Sequence, residues 1–244
     1  MDRTSDERDG LRPDDAVRDT VPAAAPRYSR RLSDKILIAI HPKFHEIWYW
    51  LIPFSNGRCS LGVVASVERF KDKPHDLDAC LRAFIDETPT LKNILHRAVW
   101  DTPARTIGGY SANVKTLHGP GFALLGNAAE FLDPVFSSGV TIAMRSASMA
   151  AGLLHRQLQG EAVDWQTEFA VPLKRGVDTF RAYVEGWYEG GFQDVIYHSG
   201  SSPEIRRMIS SILAGYAWDE HNPFVSEAKR RLRVLAEVCA SSAE

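Results

Sequence analysis

The chain has 244 residues, 44% of them apolar, enough for one large domain or two small ones and ordinary for a globular protein. A formal net charge of -2 excludes a bulk electrostatic case for nucleic acid or an acidic membrane surface. Cys59, Cys80 and Cys239 are too few and too scattered for a disulfide framework or a zinc site, which excludes the small disulfide-stapled classes.

Residues 1–33 are charged and carry Pro13, Pro22 and Pro26 around an alanine run. That composition is expected of a disordered leader, ending in a basic spot at Arg27, Arg30 and Arg31. It is unlike a secretory signal, and no apolar run in the chain is long enough to span a bilayer, so a cytoplasmic protein with reduced thiols is expected. From Lys35 the pattern turns to strands at Ile36 to Ile40, Ile47 to Phe54 and Cys59 to Val67, joined by the turn signal Ser55-Asn56-Gly57. Alternation puts Trp48, Trp50 and Ile52 on one face of this meander and Ile47, Tyr49 and Leu51 on the other. Both faces are apolar, so cover on both sides is expected. Residues 76–98 read as helical, broken at Thr88-Pro89. Trp100 to Val114 reads as extended.

Phe122 to Leu125 reads as a short buried strand, followed by the small residues of Gly126-Asn127-Ala128-Ala129. After a bend at Asp133-Pro134, Ser137-Ser138-Gly139 reads as a helix entry whose hydroxyls cap the first free N–H groups. The helix runs from Val140 to Leu158 and ends at Gly160. A strand, a loop of small residues and a helix N-terminus make a site for an electron-rich group. Further helices are expected over Asp164 to Tyr188 with an interruption near Pro172, from Ser202-Pro203 to Gly215, and from about Ser226. The expected organisation is a leader over 1–33, a sheet with the small-residue segment over 34–158, and a helical region over 159–244.

No catalytic constellation stands out. G-x-S-x-G, H-E-x-x-H, C-x-x-C and G-x-G-x-x-G are all absent. No metal site is expected; His41 and His45 stand four apart in strand or turn context and read as satisfied or exposed histidines. Two motifs do stand out together. Gly126-Asn127-Ala128 leading to Asp133-Pro134-Val135-Phe136-Ser137-Ser138-Gly139-Val140 resembles the flavin-contacting segment of flavin-dependent halogenases (the tryptophan halogenase-like group) and related FAD-dependent monooxygenases. Trp48-Tyr49-Trp50-Leu51-Ile52-Pro53 matches the W-x-W-x-I-P signature of the same family, in the expected order. The run Leu213 to Trp218 also looks like its helical tail, and the resemblance covers roughly Lys35 to Val225.

The resemblance implies an α+β fold: an antiparallel sheet, an FAD-contacting strand–loop–helix segment and a helical C-terminal region, as part of an FAD/NAD(P)-binding flavoprotein fold. It implies FAD contact at Gly126, Asn127, Ala128, Asp133, Pro134, Ser137, Ser138, Gly139 and Val140. Halide contact falls on the backbone N–H groups of Ser138 and Gly139, and a substrate tunnel on Trp48, Trp50, Ile52, Pro53 and Phe136. Phe136 stands where tryptophan halogenases carry an acidic residue, which points to the branch resembling phenolic and carrier-tethered pyrrole halogenases or to an oxidoreductase branch. The family's Rossmann half and its lysine have no counterpart here, so no catalytic residue is assigned, and the chain resembles the C-terminal portion of the enzyme. The implied activity is halogenation or hydroxylation of an aromatic or carrier-tethered substrate with reduced FAD and oxygen. The implied partners are a Rossmann half or a flavin reductase. The alternatives are a non-catalytic remnant that binds a partner or small molecule, and a reductase of the same superfamily acting on isoprenoid double bonds.

Overall fold

A three-stranded antiparallel meander packed on two short helices forms the core of the first of two compact units, which divide between Tyr110 and Ser111. The structure is a computed structural model and describes residues 16–18, 35–198, 200 and 202–241. Of the expected leader, only β1 (Ala16–Arg18) is described, paired antiparallel with β5 (Arg105–Ile107); the rest of that reading lies outside the described residues.

In this unit β2 (Leu37–Ile40), β3 (Trp48–Pro53) and β4 (Cys59–Val64) form a meander in which Ile38 faces Trp50 and Trp50 faces Gly62. The face carrying Ile47, Tyr49 and Leu51 packs on α1 (Leu77–Asp86) and α2 (Pro89–Leu95), burying Leu81, Phe84 and Leu91 completely. Asp76 starts α1 by accepting the Ala79 N–H at 2.8 Å, and Pro89 opens α2 where its missing N–H costs nothing. The opposite face is also apolar as expected: Trp48 is buried, while Trp50 and Ile52 are half-buried. The Trp50 ring lies flat across Gly62, where a Cβ would come within 2.1 Å of it, and its Nε1 donates to Ser60 Oγ at 3.0 Å. His41 is a satisfied histidine, 3.2 Å from a Glu87 carboxylate and stacked on Phe44. The extended reading of Trp100 to Val114 reduces to β5 and β6 (Ala112–Asn113).

The second unit starts at Ser111. Its strands are two residues long: β6 pairs with β9 (Glu130–Phe131), and β7 (His118–Gly119) with β8 (Phe122–Ala123). The buried strand expected at Phe122 to Leu125 is therefore corrected. Phe122 and Leu125 stay partly exposed, because the chain turns at Gly126 before the ladder can lengthen. Then come α3 (Gly139–Leu158), α4 (Val171–Tyr188), α5 (Gly191–Tyr197), α6 (Pro203–Leu213), α7 (Pro223–Ser226) and α8 (Ala228–Ser241). Compactness does not change at residue 158, since α3 packs with the helices that follow it.

Pro172 does not interrupt its helix. A π-helical turn over Gln166–Ala170 leads directly into α4, and the wider turn relieves the clash between the proline ring and the preceding carbonyls. The Pro172 carbonyl accepts from Trp218 Nε1 at 2.9 Å, and the indole crosses α4 at Gly176, where a Cβ would lie 2.0 Å from it. Leu213 to Trp218 is thus fixed to α4 by a bulky ring laid on a glycine.

Tyr49 gives a direct test of the first core. Its hydroxyl donates to the Phe84 carbonyl at 3.0 Å, and burial pushes its ionisation up to about 12. Tyr49→Phe leaves that carbonyl with only the longer bond from the Thr88 hydroxyl, at 3.4 Å, and is expected to cost about 1 kcal/mol in urea unfolding at neutral pH. The stability contributed by the un-ionised Tyr49 is present below pH ~10 and is lost as pH rises through about 12, so the gap between variant and wild type narrows only there.

Candidate functional site

Two departures from regular backbone place the small-residue segment against α3. Gly126 has φ +52°, and a Cβ there would sit 3.0 Å from the Ala143 side chain, so only glycine brings the turn this close to the helix. Its N–H donates to Ser146 Oγ at 3.0 Å, and the Ser146 hydroxyl donates in turn to the Ala143 carbonyl at 3.0 Å. Ser146 is fully buried. Asn127 follows with its Oδ1 beside Gly139, 3.4 Å from where a Cβ on that glycine would lie. Loop and helix start are thereby held as one piece.

The second departure is Ser137, a non-glycine residue at φ +52°. It follows a single 3₁₀ turn, Pro134–Phe136, which Asp133 opens by accepting the Val135 N–H at 2.9 Å. The other Asp133 oxygen accepts the Tyr188 hydroxyl at 2.9 Å. The expectation that the serine hydroxyls cap α3 is corrected. Ser138 has helical backbone angles, φ -69° and ψ -15°, rather than the extended ones that aim a cap side chain back at the helix. The Ser137 hydroxyl turns to the Pro134 carbonyl at 3.5 Å. The first i→i−4 bond is Ile142 N–H to Ser138, so the N–H groups of Gly139, Val140 and Thr141 precede the ladder.

Between these parts lies a cavity of about 600 Å³. Gly126 and Asn127 line one side, Asp133 and Pro134 another, and Ser137 to Val140 bring the helix N-terminus to it. The remaining wall is largely apolar, from Leu125, Phe131, Leu132 and Ile142. Backbone donors with the positive end of a helix dipole, beside an apolar wall, suit a flat apolar group with an electron-rich polar edge.

The other anticipated residues are elsewhere. Ala128 is exposed and off the cavity wall. Phe136 meets Trp187 and Phe192 edge-on, at 5.8 and 5.6 Å between ring centres, in an aromatic cluster. Trp48, Trp50, Ile52 and Pro53 all belong to β3 of the first unit, the two indoles 6.0 Å apart. Among the described residues no group of three or more His, Cys, Asp or Glu side chains could hold a metal ion, and no helix is long and apolar enough to cross a membrane.

Sequence reasoning missed Ser146, Tyr188 and an ion pair on the cavity wall. Glu130 is buried there against the Arg181 guanidinium, which also reaches Asp178 at 3.7 Å. Burial pushes the Glu130 carboxyl above its usual range, with Arg181 pulling the other way. No local signal joins residues so far apart in sequence, although a serine on the buried face of an alanine-rich helix is the kind of residue that needs a partner.

Two substitutions test this framework. Ser146→Ala removes the acceptor of the Gly126 amide and is expected to cost about 1–3 kcal/mol, with the Gly126 N–H becoming fast in hydrogen exchange while distant amides stay slow. Arg181→Met leaves Glu130 buried without its guanidinium and is expected to cost about 3 kcal/mol at neutral pH. A raised carboxyl favours the fold when protonated, so its contribution is fully present below the ordinary glutamate range and is lost as pH rises. The Arg181→Met penalty should therefore shrink as unfolding is measured at progressively lower pH.

No family model matches the chain. Among curated proteins it is 35% identical over 117 residues to tryptophan 2-halogenase of Chondromyces crocatus, covering 47% of this chain and 22% of that protein. It is 29% identical over 186 residues to the 1H-pyrrole-2-carbonyl-[peptidyl-carrier protein] brominase of Pseudoalteromonas luteoviolacea, covering 70% and 42%. Further curated relatives are named flavin-dependent halogenases. Among solved structures, a flavoprotein/dehydrogenase from Cytophaga hutchinsonii superposes with a TM-score of 0.89 at 36% identity, covering 98% of this chain and 58% of that one. The first curated relatives are matched over only about a quarter of their length. The chain is thus a halogenase-like sequence that spans part of such proteins and, along nearly all its own length, shares the fold of a flavoprotein.

Proposed function

We propose that the chain forms the ring-facing wall of an FAD site in a cytoplasmic oxidoreductase of the flavin-dependent halogenase type. It would act on an aromatic or carrier-tethered substrate, using reduced flavin and oxygen, with a Rossmann-type half or a flavin reductase as partner. The observation that carries the reading is the cavity itself, where Gly126-Asn127 and the N-terminus of α3 converge on one volume. The residues fit the group. Gly126 presents backbone where a side chain has no room, the apolar wall suits the ring, and the helix start offers unpaired N–H donors to a negative edge. FAD, when bound, would supply the oxygen activation that makes a halide electrophilic or hydroxylates the ring.

The chain's own contribution is binding and orientation. Gly126 and Asn127 would take the ribityl side, and Asp133 would act indirectly, holding the turn that aims the helix. Ser138 and Gly139 would offer backbone N–H groups to the halide. Trp48, Trp50, Ile52, Pro53 and Phe136 are proposed for the substrate side on the strength of the motif resemblance. The carrier-tethered substrate class is supported by the pyrrole brominase and chlorinase among the relatives.

A second reading has its own observation. The solved structure that covers 98% of this chain is described as a flavoprotein/dehydrogenase, which favours a flavin oxidoreductase that does not halogenate. A non-catalytic remnant that only binds a partner is the further alternative.

Flavin absorbance and fluorescence on titration of the purified chain with FAD provide the test. Saturable binding is expected, weakened about tenfold or more by Gly126→Val because the valine is forced into a left-handed turn against Ala143. No binding, or equal binding by the variant, would sink the proposal. With FAD, a reductase, oxygen and bromide or chloride, mass spectrometry of aromatic and carrier-bound pyrrole substrates should show halogen incorporation. Substrate oxidation without halogen would move the assignment to the second reading.

A further inference from the structure

The cavity wall offers hydrogen-bonding groups of both senses. At the start of α3 it offers donors, the N–H groups of Gly139 and Val140 that precede the helix ladder. On β9 it offers an acceptor, the Glu130 carboxylate. Of the two carboxylates on the wall, Asp133 has both oxygens engaged, by the Val135 N–H and the Tyr188 hydroxyl. Glu130 has only Oε1 engaged, by the Arg181 guanidinium. Its Oε2 has no hydrogen-bond partner among the described residues. The side chain is nevertheless only 11% exposed. An ionised carboxylate accepts at about four lone-pair sites and donates at none, so one that is buried and served on a single oxygen is under-supplied. The burial that pushes the Glu130 carboxyl up, against the pull of Arg181, reflects the same deficit.

Glu130 is also fixed in place. Its backbone is paired in β9, opposite Asn113 of β6. Its guanidinium partner is itself largely buried and is held from a second side by Asp178, which also meets Lys174 at 3.5 Å. The turn carrying Gly126 and Asn127 packs on β9, so the open oxygen belongs to the same stretch of wall as the small-residue loop. An occupant that matches this wall needs an electron-rich edge for the amides of α3 and a donor for Glu130. A phosphate or other anion suits the first and meets a second acceptor at Glu130. A flat ring that carries a chain of hydroxyls satisfies both. We propose that Glu130, oriented by Arg181, is a specificity-determining residue of the cavity, its open carboxylate oxygen accepting a hydrogen bond from the hydroxylated chain of a flavin. The inference rests on the flavin reading of the cavity, and the experiment separates the two.

The test is titration of the full chain with FAD, riboflavin and lumiflavin, the last having the ring without the hydroxylated chain, followed by flavin fluorescence. The wild type is expected to bind riboflavin about tenfold more tightly than lumiflavin. Glu130→Gln keeps an oxygen for Arg181 and turns the group left to the cavity from a charged acceptor into a neutral donor. It should weaken FAD and riboflavin by about tenfold and leave lumiflavin unchanged, with a circular dichroism spectrum like that of the wild type. Difference infrared spectroscopy of wild-type protein carrying isotope-labelled glutamate needs no substitution. A glutamate carboxylate band should shift with riboflavin and stay still with lumiflavin. Equal binding of riboflavin by Glu130→Gln and wild type would overturn the proposal. So would a substitution that weakens lumiflavin as much as riboflavin, because Glu130 would then serve the ring or the fold. A carboxylate band that riboflavin does not move overturns it independently. If the wild type takes up all three flavins with equal affinity, the flavin reading stands and this inference alone fails; if it takes up none, the two fall together.

Discussion

One hydrogen bond, from the Gly126 N–H to the buried Ser146 hydroxyl, fixes the geometry around the cavity. The glycine turns left-handed and lies against Ala143, Asn127 is carried to the start of α3, and the loop can no longer move independently of the helix. Asp133 fastens the other end, with one oxygen on its own turn and one on Tyr188 of α4. The cavity is therefore bounded by a loop locked to α3 and a turn locked to α4, a form of preorganisation that needs no ligand.

Both units use the same packing device. In the first, Trp50 lies across Gly62 on the neighbouring strand; in the second, Trp218 lies across Gly176 of α4. Each indole also spends its N–H, on Ser60 Oγ and on the Pro172 carbonyl, so the ring is fixed in orientation as well as position. A large planar side chain opposite a missing one gives area contact that aliphatic residues reach only in clusters. Two motif tryptophans that the sequence singles out thus have a structural use, whatever else they do.

What was legible in the sequence was local. Alternation along Trp48 to Ile52 assigned the faces of β3 correctly, and the helical stretch from residue 76, its break at Thr88-Pro89 and the start at Ser202-Pro203 fell at helix boundaries, because each signal acts within a few residues. The turns of the segment from Gly126 to Val140 were legible because glycine and Asp-Pro carry backbone meaning of their own. Three things were not. Ser137 and Ser138 have the side chains of caps, but their backbone angles, set by the preceding turn, aim them elsewhere. Pro172 signals a break, yet a π turn ending two residues earlier absorbs it. Arg181 finds Glu130 only once α4 has packed, so a long-range pair decides the charge on that part of the cavity wall.

The engagement of Asp133 has a chemical consequence. Both its oxygens are acceptors already in use, and Glu130, the other carboxylate on the cavity wall, faces a guanidinium. The wall carries no histidine, lysine or cysteine. Chemistry in this cavity therefore meets a surface that directs hydrogen bonds through fixed backbone donors and a carboxylate fastened at both oxygens. A proton released there passes to whatever group occupies the space, to water at its mouth, or to Glu130, whose carboxyl burial already holds above its usual range.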